Sequence, residues 1–311
     1  MEQQGRDITC ESTSLTVGKR WYALGLFLII AIGWLPVLFG LNTIKSVTAL
    51  YPLANSAHPY FVPEHAVKLY LLTPLVVMSS CLLFLSPGLF LSLALNSAKS
   101  LGQWIFTSLA ISLILISSVT GIVQSIMEKP LRDGWFATVV VIISTVCFVF
   151  LFIRIIRNCQ IAWPFGKPHN STIILSILVI ILLFLITLTP KIYWENFNGD
   201  GVEAFEASRL LLVQQLPFWP RSAGSIFELP NITMMLFTFP VSWFIRLFGE
   251  VEASARLPYI LYVIALYGVM LSLIEHGKAK PVGRIELWLI WLGLAVYSVV
   301  MVFSATYNPY N

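Results

Sequence analysis

Four side chains in one polar stretch have the types and spacing to do chemistry: Asp200, Glu203, Arg209 and Arg256. They lie between residues 193 and 258, where seven of the fifteen acidic residues fall (Glu195, Asp200, Glu203, Glu206, Glu228, Glu250 and Glu252). Asp200 follows Asn198-Gly199, a turn signal, and precedes Glu203 by three residues, the spacing of a helix capping box. Read as a cap, Asp200 satisfies free backbone N–H groups and does nothing more. A carboxylate at a helix N-terminus also stays ionised, because the helix dipole favours its charge. Such a group can take a proton from an acceptor hydroxyl or amine, or help hold a divalent cation. The two roles are compatible, and both stay open. Arg256 stands where the chain turns apolar again. There a guanidinium either snorkels to the membrane boundary or grips a phosphate with its planar fork. Arg209 is a further candidate for that anion.

These groups need elements to carry them. After the turn, Val202, Phe205, Leu212 and Leu216 recur at helical spacing, while Glu203, Glu206 and Arg209 follow one another on another face. Pro217 and Pro220 end the run. With Trp194 and Trp219 at its flanks, this amphipathic helix is predicted to lie along a membrane surface.

Everything around the stretch favours hydrocarbon. The chain is 58% hydrophobic and 11% charged, against about 25% charged in soluble domains. That composition predicts an all-α, polytopic membrane protein. Apolar runs of span length fall near 22–42, 69–96, 104–126, 136–156, 172–190, 256–274 and 286–305, giving seven spans. No acidic or basic residue sits mid-run in any of them, which argues against an ion pump or proton relay. Ser86-Pro87-Gly88 predicts a kink in the second span. With Arg6, Lys19 and Arg20 cytoplasmic, five spans put Tyr193 outside and make 191–255 one large outer loop. The apolar segment 231–248 is interrupted by Pro240 and Arg246. If it does not cross, the loop with Lys278, Lys280 and Arg284 is cytoplasmic, as the positive-inside rule asks. The expectation is therefore interfacial helices or a re-entrant segment there.

The chain divides into a four-span module, 1–171, and a block, 172–311, carrying the outer loop and three spans. Multi-pass insertion in the cytoplasmic (inner) membrane of a bacterium, N-terminus inside, is the expected location. A net charge of +4 on so few ionisable groups is no nucleic-acid signature. Cys10, Cys81, Cys147 and Cys159 lack metal-ligand spacing and read as packing residues. No phosphate-cradling glycine loop or nucleotide fingerprint is present.

Asp200, Glu203, Phe205 and Arg209, followed by Leu247-Phe248-Gly249-Glu250-Val251-Glu252-Ala253-Ser254-Ala255-Arg256-Leu257-Pro258, resemble the first outer loop of GT-C-fold glycosyltransferases. The likeness is to the branch of protein O-mannosyltransferases and bacterial lipid A aminoarabinose transferases, and it covers roughly residues 190–300. It implies transfer of a sugar from a polyprenyl-phosphate-type lipid donor to an acceptor at the extracytoplasmic face. It would make Asp200 the catalytic loop acid with Glu203 in support, and Arg256 structural or phosphate-facing, with Arg209 nearby. Three features depart from the family pattern. The usual Asp-Glu pair is Asp200-Gly201, and Leu229-Pro230-Asn231-Ile232 stands where Lys/His-Pro-Pro-Leu is expected. Four spans also precede the block and only two follow the loop. The catalytic core is then either incomplete, as in a fragment, or completed by a membrane protein partner supplying the missing spans. The alternatives are a non-catalytic subunit that binds lipid-linked sugar, and a lipid carrier or flippase.

Overall fold

A computed structural model describes residues 20–40, 63–97, 100–157, 161, 208–209, 211–213 and 232–250, with isolated positions from 254 to 272. Every regular element among them is helical. We number the five α-helices α1 (Arg20–Gly40), α2 (Pro63–Ala94), α3 (Leu101–Met127), α4 (Asp133–Ile156) and α5 (Ile232–Phe248). A single 3-10 turn, Leu211–Val213, stands apart. Helices α1, α3, α4 and the Leu75–Ala94 part of α2 are long and apolar enough to cross a membrane. Such helices suit lipid because each backbone N–H and C=O is satisfied within its own segment. They correspond to the first four predicted spans. The runs 172–190 and 286–305 lie outside the described residues, and 256–274 is described only at scattered positions.

Helix ends follow local chemistry and not hydropathy alone. α3 starts before the apolar run because the Ser100 side chain caps it, accepting from the Gln103 amide at 3.3 Å. It stops at Glu128, which turns left-handed (φ 52°). A short turn leads to α4, whose first residue, Asp133, is also left-handed (φ 55°).

α2 is the central helix. Its most apolar stretch is 72% buried, against 22%, 28% and 39% for those of α1, α3 and α4. It runs unbroken through Pro87, although proline lacks the N–H that would bond the Leu83 carbonyl. The Ser86 hydroxyl covers that carbonyl at 2.8 Å and meets the Ser144 hydroxyl of α4 at 2.7 Å. One residue on, the Gly88 amide donates to Ser112 Oγ of α3 at 2.9 Å. A Cβ on Gly88 would sit 1.8 Å from the Ser108 carbonyl oxygen, so only glycine permits this approach. Where lipid-like interiors offer no hydrophobic drive between helices, close packing and such hydroxyl bridges hold them. Cys81 and Cys147 are buried free thiols in this core, as their packing role requires. Cys10 and Cys159 lie outside the described residues. The opposite faces of α1, α3 and α4 expose Ile29, Ile114, Ile122, Ile142 and Val146, as lipid-facing surfaces do.

Of the two forms expected for α5, an interfacial helix and a re-entrant segment, burial disagrees with the first. A helix lying along a surface keeps one face in water, yet Thr238 and every residue from Pro240 to Phe248 are buried. Trp243 and Phe244 pack on Phe84 of α2, with ring centroids 5.2 and 5.1 Å away. The core thus runs from α1 through α4 into α5 and on to Leu257 and Leu261.

Candidate functional site

The two ends of the bundle are chemically unlike. At one end Arg154, in the last turn of α4, donates to the Ala94 carbonyl at the end of α2, a cation placed where helix dipoles favour it. At the other end α3 finishes, α4 begins and α5 finishes, and here the polar contacts gather.

Arg246 is the hub. It lies in the last turn of α5 and is only 5% exposed. Its Nη1 donates to Gln124 Oε1 of α3 (2.7 Å) and to the Leu131 carbonyl in the α3–α4 turn (2.9 Å). Its Nη2 donates to the Leu211 carbonyl (2.9 Å). Gln124 completes the ring by donating from Nε2 to the Leu212 carbonyl at 2.5 Å. The guanidinium also lies over the Phe136 ring, 5.7 Å from its centroid. Burial, and after it the neighbouring Arg132, lower its pKa to about 10, so it is a cation at neutral pH. Among the described residues no carboxylate faces it, and its Nε–H is buried without an acceptor.

Just outside this buried ring stand three charged side chains. Glu250 receives Arg132 at 2.6 Å and Arg209 at 2.8 Å. The arginines are 46% and 44% exposed, the glutamate 25%. Each outer residue is close in the chain to a contact of Arg246: Arg132 follows Leu131, Arg209 precedes Leu211 by two, and Glu250 is one helical turn past Arg246 itself. The buried ring therefore sets the spacing of the exposed triad.

Of the residues singled out in the sequence, Arg209 is brought into this site. Asp200, Glu203 and Arg256 lie outside the described residues, as does most of the predicted helix 202–216. Ser208 and Arg209 are helical in that stretch, and Leu211–Val213 forms the 3-10 turn whose Leu212 packs on Val241 and Ile245. A divalent cation was expected only through Asp200. Among the described residues no three metal-ligating side chains gather.

Sequence reasoning missed Arg132, Gln124 and Glu250, and read Arg246 as a mere interruption of an apolar run. The signal for Arg246 was present, because a cation inside such a run needs partners or a site. Gln124 was the one amide in the third span able to answer it.

The polar loop is also tied to one particular end of the membrane module. Leu211 and Leu212 bond Arg246 of α5 and Gln124 near the end of α3, and Glu250 meets Arg132 of the α3–α4 turn, whereas the backbone of Gly268 lies against Gly102 at the start of α3. Between Glu250 and Gly268 the chain therefore travels most of the length of α3, about 33 Å from Gln124 to Gly102 at 1.5 Å per residue.

No protein-family model, curated protein or solved structure matches this chain.

Proposed function

We propose that this protein is a membrane glycosyltransferase moving a sugar from a polyprenyl-phosphate-type lipid donor to an acceptor at the extracytoplasmic face. The observation that supports it is the docking of Arg209, Leu211, Leu212 and Glu250 of the acid-bearing loop at one end of the bundle, beside a buried arginine. A transferase for a lipid-borne donor needs water-soluble chemistry held where apolar helices end, and this junction is such a place. In this reading the chain has seven spans, with its N-terminus cytoplasmic and loop 191–255 outside. Asp200 acts as general base or metal-assisting carboxylate, Glu203 supports it, and Arg256 and Arg209 face the donor phosphate.

The test is transfer from a polyprenyl-phosphomannose or polyprenyl-phosphoaminoarabinose probe into endogenous acceptors of membranes containing the protein. Asp200→Asn should lower the rate about 10²–10⁴-fold, the span of general acid–base contributions, with the protein still inserted and folded. Undiminished transfer by that variant removes Asp200 from the chemistry.

A second reading is a non-catalytic subunit that binds lipid-linked sugar. One contact favours it: Arg209 is already engaged by Glu250 instead of standing open to a donor. On this reading Asp200 is a helix cap, and Asp200→Ser, which keeps the cap, leaves behaviour unchanged.

A further inference from the structure

Helix α1 carries one turn whose hydrogen bonds are not those of a plain helix. Ser79 of α2 sets its hydroxyl against the two groups that an α-helix joins to each other. It accepts from the Val37 N–H at 3.0 Å and donates to the Gly33 carbonyl at 2.5 Å. In the same turn, Pro36 has no N–H to offer the Ile32 carbonyl. Two successive rungs are thus altered, one missing and one engaged by a neighbouring helix. A proline, and a side chain inserted into the ladder, are each a cause of helix bending. Here both fall within one turn. Gly33 lets α2 come close at this level, since a Cβ there would stand 2.7 Å from Leu82 Cδ1.

The two sides of that turn are held differently. After it, Val37 is buried and Gly40 backs onto Val76 of α2. Before it, Arg20–Ile32 is held by ring and aliphatic contacts, which can slide. Phe27 stacks on Phe148 of α4 at 4.2 Å and meets Phe90 of α2 at 5.9 Å, with Ala23 and Ile30 buried in the same core. Trp34, inside the turn, meets Phe27 edge-on at 6.0 Å, so this ring pair reaches across the altered rungs. Trp34 is only 4% exposed, and its indole N–H has no acceptor. A buried donor left unpaired raises the energy of this arrangement toward that of another in which it finds a partner.

We propose that Gly33–Val37 is a hinge about which Arg20–Ile32 swings and parts Phe27 from Phe148, with the Ser79 hydroxyl as its catch. In one arrangement the hydroxyl bridges the turn. In the other, Val37 and Gly33 bond directly and α1 straightens. The hinge uses no residue of the polar loop, so it stands or falls apart from sugar transfer.

The experiment uses the full-length protein in nanodiscs, with spin labels attached to a ketone-bearing residue introduced by amber suppression. Tyr22, before the hinge, and Phe39, after it, are each paired with Ile114 of α3, and all three positions are exposed. Distance distributions come from double electron–electron resonance. A bend of about 20° acting over the roughly 16 Å from Gly33 to Tyr22 moves that label by about 6 Å. The Tyr22 distribution should therefore be broad or double, and the Phe39 distribution narrow. Pro36→Ala restores the missing N–H and should narrow the Tyr22 distribution. Ser79→Ala removes the catch and should collapse it onto the straight form. A Tyr22 distribution as narrow as that of Phe39, or one that either variant leaves as it was, overturns the hinge.

Discussion

The middle of the bundle and its α3–α4 end solve the same problem by opposite means. At mid-height, α2 meets α3 and α4 through small groups: Gly88 against the Ser108 carbonyl, Ser86 against Ser144, and Ser92 against Ser108 at 3.2 Å. Each polar atom there is neutral and local, and shape decides the fit. At the end, one long cation gathers carbonyls from two loops and an amide from α3. Distance is bridged there by reach and charge. A dry interface tolerates no added atom, whereas a guanidinium hub tolerates no lost donor.

The sharpest way to break that comparison is Gly88→Val. Its Cβ meets a backbone oxygen, which cannot rotate away, so the loss should reach or pass the upper end of the overpacking range, about 3 kcal/mol. Fluorescence-detected size exclusion of the tagged protein should then show little monodisperse species. A normal profile would mean that α2 and α3 sit further apart than described.

Arg246→Met comes next. It leaves Gln124 Oε1 and the carbonyls of Leu131 and Leu211 without a donor, and an unsatisfied buried group costs about 1–3 kcal/mol. A melting temperature several degrees lower in detergent is expected, with Arg246→Lys failing to restore it, since an ammonium cannot reproduce the fork. Full recovery by lysine would reduce the hub to a point charge.

The smallest effect separates the two partners of one hydroxyl bridge. Ser144→Ala removes the interhelical bond, about 0.6 kcal/mol in membrane bundles, and a bond to the Val140 carbonyl, which the helix backbone already satisfies. Ser86→Ala should cost more, because Ser86 also covers the Leu83 carbonyl exposed by Pro87. Equal thermal shifts for the two variants would show that the proline gap is filled some other way.

Much of the helical framework was legible in the sequence. The runs at 22–42, 69–96, 104–126 and 136–156 become α1 to α4 with ends shifted by a few residues, because Ser100 caps beyond the apolar run and Glu128 turns the chain. The serine and glycine pattern around Pro87 announced a helix that its neighbours would have to mend. The site was far less legible. Arg209 was chosen for its spacing near Asp200, yet its partner, Glu250, lies 41 residues on, and Arg132 reaches the same carboxylate from the α3–α4 turn. No periodicity encodes such a meeting.

What the residues determined unaided is the solvent of this protein. Apolar runs of span length must bond their backbone internally, and helices result whatever they pack against. Which helix would be central, that α5 would be enclosed instead of laid on a surface, and that Arg246 would find Gln124 across 122 positions were decided by tertiary packing alone. The reason is that a buried charge is stable only where several distant acceptors converge on it, and convergence is a property of the assembled bundle, not of any one segment.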